Sequence, residues 1–130
     1  MLKIGLTHTS ELTVAEAQTA ISVGSGDMAV LATPIMVALM ENAAMLAVAA
    51  HLPEGSTTVG GHIATSHLHP SKVGDKVQAM AEVVAVEGRK ITFRVEARCA
   101  GQLIGEGTHL RFIVERERFL ASCGLQETCR

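Results

Sequence analysis

One long apolar segment limits what this chain can fold into. Residues 28–50 span 23 positions, and between Pro34 and Ala50 the only polar side chains are Glu41 and Asn42. A run of that length could cross a bilayer. However, an unpaired carboxylate at membrane depth is costly. We therefore expect a helix buried inside a globular domain, and no membrane partner.

The local sequence predicts one helix from Pro34 to about His51. Thr33 is a good N-cap, and proline at the first helical position loses no hydrogen bond. Ala, Leu and Met dominate the segment and are strong helix formers. Pro53 and Gly55 follow and end the helix. Because almost every position is apolar, the helix is expected to be buried on most sides.

The rest of the chain predicts strands. A short strand is expected at residues 2–8 and a helical turn near Asp27–Leu31. Four strands are then expected at residues 57–69, 76–87, 89–100 and 103–116. Residues 91–99 alternate apolar and polar side chains, which is typical of a half-solvated antiparallel strand. In the last strand Leu110, Phe112 and Val114 share a face. Gly60 and Gly61 predict a β-bulge, and Gly88 a tight turn.

These elements predict an α+β hotdog fold, in which a curved antiparallel sheet wraps around one long central helix. The domain is expected to occupy residues 1–120, with a flexible C-terminal tail at 121–130 that lacks periodicity. A lone protomer of this kind leaves an edge strand open and part of the helix uncovered. Dimerisation commonly covers both, so we expect a homodimer.

Composition argues against several classes of partner. Aromatic residues make up 2% of the chain, with no Trp or Tyr, and the net charge is −2. Nucleic-acid binders need basic surface, and single-strand binders also use aromatic platforms, so no nucleic-acid partner is expected. The three cysteines form no metal-binding spacing, and their odd number without a signal segment predicts reduced thiols in the cytoplasm.

Glu41 and Thr33 are the candidate functional residues of the helix. A carboxylate on a buried helix must be paired, hydrogen-bonded or protonated, and such groups cluster at functional sites. The alternative is that Glu41 points to solvent at a dimer groove. Thr33 has a simple structural interpretation as the N-cap. A functional role is compatible with it, since a helix N-terminus favours negative charge.

The predicted first strand after the helix carries the other candidates. His62, His67 and His69 lie within eight positions, but no Asp or Cys accompanies them at ligand spacing, so no metal site is expected. Gly60 can bend the sheet at a bulge, or can let the backbone approach a ligand and donate an N–H to an oxyanion.

Several segments together resemble the fluoroacetyl-CoA thioesterase family of hotdog proteins. They are Leu31-Ala-Thr-Pro34, Val37-Ala-Leu-Met-Glu41, His51-Leu-Pro-Glu-Gly-Ser-Thr-Thr-Val-Gly60 and His67-Leu68. The resemblance covers residues 8 to 118. It implies a catalytic set of Thr33, Glu41 and His67, with Gly60 contacting substrate. It also implies hydrolysis of a small acyl-CoA thioester, with CoA as part of the substrate and no separate cofactor.

One segment departs from that family. The fluoroacetate-resistance member has a Phe lid just before the helix, whereas residues 24–30 here contain no aromatic residue. The general thioesterase chemistry is therefore expected, and the fluorinated substrate is not. The main alternative is a hotdog protein that binds acyl-CoA or another small ligand without catalysis. A hydratase is disfavoured because Asp27 is followed five residues later by Ala32 rather than by His.

Overall fold

A computed structural model describes residues 2–126. In chain order it contains β1 (Thr7–Thr13), a 3₁₀ turn (Glu16–Gln18), α1 (Ala20–Val23), α2 (Thr33–Ala49), β2 (Ser56–His67), β3 (Lys76–Glu87), β4 (Lys90–Cys99), β5 (Gln102–Glu115) and α3 (Arg116–Ser122). None of the helices in the described part of the chain is long and apolar enough to cross a membrane.

The five strands form one antiparallel sheet in the order β1-β3-β4-β5-β2. Within the described residues β1 and β2 are therefore the two edges. The pairing of β2 with β5 shifts register between Gly60 and His62, which confirms the predicted bulge. Gly88 has a φ of 62°, a left-handed conformation that suits glycine in the tight turn between β3 and β4.

The central helix α2 packs one side against the sheet. Its buried residues are Met36, Met40, Ala43, Ala44, Ala47 and Val48. They meet the inner faces of β3 and β4, where alternate residues such as Val77, Ala81, Phe93 and Val95 are fully buried. This arrangement of a long helix on one antiparallel sheet confirms the predicted α+β hotdog fold.

The opposite side of α2 differs from the sequence prediction. Pro34, Ala38, Asn42, Leu46 and Ala49 are exposed in the protomer, so the helix is not buried on most sides. The prediction was wrong because α2 carries apolar residues on all of its sides, whereas the sheet covers only about half of its circumference. An apolar stripe along α2 consequently faces outward.

Three local elements also differ from prediction. The first strand lies at Thr7–Thr13 rather than at residues 2–8, and the helical turn lies at Ala20–Val23 rather than near Asp27–Leu31. β5 continues into α3, which reaches Ser122 and so enters the segment expected to form the tail. Residues 127–130 of that predicted tail lie outside the described residues.

The N-terminal end of α2 lies very close to the sheet at one point. A Cβ on Gly105 would lie 2.5 Å from Met36 Sδ and 3.0 Å from the backbone oxygen of Ser66. Gly105 is paired with His67 in the β2–β5 ladder. The missing side chain at position 105 thus lets the first turn of α2 settle directly over the end of β2.

Candidate active site

Thr33 is the first residue of α2 and is not its N-cap. Ala32 takes the capping position with φ −71° and ψ 135°, and no side chain caps the helix. The N-cap interpretation of Thr33 was therefore wrong by one residue, because Pro34 occupies the second helical position rather than the first. The Thr33 hydroxyl is free for another partner, and its Oγ1 lies 2.7 Å from His67 Nδ1.

His67 is the last residue of β2 and lies beneath the first turn of α2. Burial lowers the pKa of His67 below its ordinary value, and a backbone hydrogen bond with His69 opposes part of that shift. The neutral imidazole is therefore favoured at neutral pH. Its Nε2 atom is buried and has no hydrogen-bond partner among the described residues. A buried ring nitrogen in that condition is poised to accept or donate a bond once a further group arrives.

A cavity of about 300 Å³ opens beside this pair, and we call it the Thr33–His67 cavity. Its wall combines α1, the segment before α2 and the end of β2. The lining residues are Ala20, Ser25, Val30, Leu31, Thr33, His67, Leu68, His69 and Pro70. The wall is mainly aliphatic, and the described residues that line it include no Phe, Tyr or Trp.

Glu41 lies two turns further along α2 and is half-buried. The sequence left open whether Glu41 lies on a buried helix or points to solvent, and the structure places it at the margin of the uncovered side of the helix. It lines a second cavity of about 460 Å³, which we call the Glu41–Gly60 cavity. The other lining residues are Ala38, Asn42, Met45, Thr58, Val59, Gly60 and Arg111.

Gly60 lets the Glu41 carboxylate approach the edge strand. A Cβ on Gly60 would lie 3.2 Å from Glu41 Oε2 and 3.3 Å from His109 Cε1. Both distances are tighter than nine in ten real Cβ contacts, so a larger residue would displace the carboxylate or the imidazole by a few tenths of an ångström. The missing side chain at Gly60 therefore permits the close approach of the Glu41 carboxylate, in addition to the bulge.

Two inward-facing residues of β5, which were not among the residues predicted from the sequence, complete this region. His109 is fully buried and Arg111 is only 7% exposed. The apolar face of Leu110, Phe112 and Val114 is the more conspicuous one in the sequence. However, Phe112 lies on the outer face of the sheet, so the other face of β5 is the inner one. The sequence did contain one signal of this pair: a charged residue lies two positions after a histidine, on the face opposite the apolar residues.

The four predicted site residues thus fall into two pairs. Thr33 and His67 share one cavity, whereas Glu41 and Gly60 share the other. Eight residues of helix separate Thr33 from Glu41, which corresponds to about 12 Å along the axis. Among residues 2–126 no group of three or more His, Cys, Asp or Glu is arranged to hold a metal ion.

A family model described as fluoroacetyl-CoA-specific thioesterase matches residues 14–117. The chain belongs to the fluoroacetyl-CoA-specific thioesterase family. The resemblance stated from the sequence is therefore confirmed. A curated relative in this family, the fluoroacetyl-CoA thioesterase of Streptantibioticus cattleyicolor, is 39% identical over 92 residues, which are 71% of this chain and 66% of that protein.

Solved structures agree with the family assignment. A structure of the fluoroacetyl-CoA thioesterase FlK has a TM-score of 0.88 and 31% identity, covering 95% of this chain and 96% of that one. A Thermus thermophilus protein described as a thioesterase superfamily member has a TM-score of 0.86 and 28% identity, covering 93% and 90% of the two chains. The fold of this family member is therefore shared with known thioesterases.

Proposed function

We propose that the protein is an acyl-CoA thioesterase that hydrolyses a small acyl-CoA to the free acid and CoA. The observation that carries this proposal is the Thr33–His67 bond beside a cavity, in a chain of a thioesterase family. CoA enters and leaves as part of the substrate and product, so no separate cofactor is required. Free thiols at Cys99 and Cys123 support a reducing, cytoplasmic location.

The reaction adds the elements of water across the thioester. The Glu41 carboxylate either takes a proton from a water molecule that attacks the carbonyl carbon, or attacks that carbon itself to form a mixed anhydride that water then hydrolyses. The C–S bond breaks, and the leaving sulfur receives a proton to form CoA. His67 donates to the substrate from Nε2 when Thr33 donates to Nδ1, and the Gly60 N–H stabilises the developing oxyanion.

The separation of the two cavities favours a site built by two protomers. Thr33 and His67 of one protomer would meet Glu41 and Gly60 of its partner. Two uncovered features support this homodimer: β2 is an edge strand, and α2 exposes an apolar stripe beside it. Both features lie next to Gly60 and Glu41, so an interface there would close the Glu41–Gly60 cavity.

The activity is tested by incubating the purified protein with a panel of acyl-CoAs and following thiol release. Glu41→Gln and His67→Ala should each lower kcat by about 10²-fold or more, the usual scale of general acid–base catalysis. The two changes together should cost little more than the worse one, because groups that act as a unit are not additive. If the wild-type protein binds acyl-CoA without releasing thiol, the result would instead support the alternative of a hotdog protein that binds its ligand without catalysis.

The shared site is tested by mixing the two inactive variants. After exchange of protomers, a dimer with one Glu41→Gln chain and one His67→Ala chain would retain one intact site. Random pairing makes half of the dimers mixed, so about a quarter of wild-type activity should return. No recovery, in a mixture shown to contain mixed dimers, would place the complete site within one protomer. Light scattering at micromolar concentration should show the dimer mass.

A further inference from the structure

We propose that the Thr33–His67 cavity binds the acyl group and takes a saturated aliphatic chain of about four to eight carbons, with Val30 limiting the chain length. The inference rests on the proposed function and names the substrate class of that same site. The curated relative is named for fluoroacetyl-CoA, whose acyl group is shorter, so this specificity would distinguish the two proteins.

The cavity is larger than an acetyl group can fill. Its volume of about 300 Å³ lies at the lower end of the range for small-molecule sites. The same volume of liquid water holds about ten molecules, at about 30 Å³ each. An acetyl group supplies only one methyl beyond its carbonyl, and the atoms that line unfilled space lose their dispersion contacts. A longer alkyl chain would restore those contacts.

One wall of the cavity leads away from the reacting pair along an extended segment. Val30 lies three residues before Thr33, and Ala32 between them has an extended backbone. At about 3.3 Å per residue, this segment places Val30 about 10 Å from Thr33. Val30 is half-buried and lines the cavity. An acyl group whose carbonyl lies at Thr33 and His67 can therefore extend its alkyl chain toward Val30.

Backbone hydrogen bonds hold this wall in place from both sides. The N–H of Ala20 donates to the Val30 oxygen at 2.7 Å, which ties the segment to α1. The N–H of Leu31 donates to the Ser71 oxygen at 2.8 Å, which ties it to the chain that follows β2. The cavity is therefore formed before the substrate binds, and binding does not have to order this wall.

The side chains of the cavity suit an uncharged alkyl chain. Ala20, Val30 and Leu68 line it, and Leu68 is 46% exposed, so a chain bound there would remove apolar surface from water. Apart from the reacting pair, the polar lining residues are Ser25 and His69, and both are exposed. The described residues of the lining include no Lys or Arg, so a terminal carboxylate would have no cation there. The amides of the pantetheine arm of CoA fit this wall less well, because they need hydrogen-bond partners.

The dependence of kcat/KM on chain length tests this substrate class. The substrates are straight-chain acyl-CoAs from acetyl to decanoyl, with succinyl-CoA and phenylacetyl-CoA for comparison. We expect kcat/KM to rise by up to about fourfold per added methylene, the scale of burying one CH₂ group, and to fall once the chain outgrows the cavity. Hexanoyl-CoA should therefore exceed acetyl-CoA by at least about tenfold. A profile that is flat or highest at acetyl-CoA, or a preference for succinyl-CoA or phenylacetyl-CoA, would overturn the inference.

Substitutions of Val30 distinguish an acyl site from a site for the pantetheine arm. Val30→Phe should move the optimum to shorter chains, and Val30→Ala should move it to longer ones. Because the two shifts have opposite signs, either variant tests the inference if the other does not fold. The matched control is Val84→Phe, at an exposed position of β3 that does not line the cavity, and it should keep the wild-type profile. If Val30→Phe lowers kcat/KM by the same factor for every chain length, the cavity holds the pantetheine arm and the inference fails.

Equilibrium binding provides a test that does not depend on turnover. In calorimetric titrations of the Glu41→Gln protein, hexanoyl-CoA should bind at least about tenfold more tightly than acetyl-CoA. Adding Val30→Phe to the same protein should remove that preference. Equal affinities for the two acyl-CoAs in Glu41→Gln would overturn the inference, even if the wild-type protein is an active thioesterase. A wild-type protein that prefers hexanoyl-CoA but releases no thiol would refute only the proposed function.

Discussion

The sharpest test of the Glu41–Gly60 contact is Gly60→Ala. The backbone at this position is outside the left-handed region, so alanine can adopt it without strain. The new methyl would stand 3.2 Å from Glu41 Oε2 and 3.3 Å from His109 Cε1, and one of these groups must move by a few tenths of an ångström. His109 is held by hydrogen bonds at both ring nitrogens. The Glu41 carboxylate is therefore the group that moves.

The size of the effect follows from that displacement. A misplacement of 1 Å at a catalytic group can cost about 10²-fold in rate, so a few tenths correspond to a loss of about fourfold to tenfold in kcat/KM. Stability should change little. Replacing glycine by alanine at an allowed conformation stabilises by about 0.4–1 kcal/mol through the unfolded state, which offsets the close contacts.

The assay is thiol release paired with thermal unfolding, and Gly61→Ala is the matched control. A methyl at position 61 would overlap the ring of Phe112, on the outer face of the sheet, and would have no contact with Glu41. Gly61→Ala should therefore lower the melting temperature while kcat/KM is retained. Full activity in Gly60→Ala, or an equal loss of activity in folded Gly61→Ala, would refute the reasoning.

Three further outcomes are expected. Thr33→Val removes the 2.7 Å bond to His67, and should lower kcat while costing about 1 kcal/mol in the free energy of unfolding; unchanged kcat would remove Thr33 from the site. Burial lowers the pKa of His67 and His109, so their contribution to stability is complete above pH about 6.5 and is lost as the pH falls below it. Urea unfolding at pH 7.5 and 5.5 should show this loss, with a smaller difference in His109→Gln than in the wild type or the exposed-residue control His8→Gln. Without an aromatic lid, selectivity for fluoroacetyl-CoA over acetyl-CoA should stay within about tenfold, and a much larger ratio of kcat/KM would contradict this.

The sequence predicted β3 and β4, which have apolar inner faces, and misplaced β1, which does not have one. β3 and β4 alternate cleanly, and their predicted bounds match the structure within one residue. β1 has the sequence THTSELT, and only Ser10 is buried, so no apolar alternation marks it as a strand. Its position depends on pairing with β3, a contact that spans some seventy residues. Local patterns contain no such information.

The candidate site was predictable by residue and only in part by geometry. The pairing of Thr33 with His67 joins two of the four residues that the family resemblance implied. The sequence left the exposure of Glu41 open, because the apolar positions of α2 do not distinguish the side that packs on the sheet from the side left open. Arg111 was missed for a related reason: its burial depends on Thr58 and His109, which accept its hydrogen bonds.

The absence of a side chain at Gly105 allows the helix to pack close to the sheet at this point. Met36 rests where a methyl group at 105 would be, and Thr33 lies one turn earlier on the same helix. Adding that methyl would displace the end of the Met36 side chain, which lies in the same turn of the helix as Thr33. Position 105 therefore offers a way to change the packing beneath Thr33 without altering either partner of its hydrogen bond to His67.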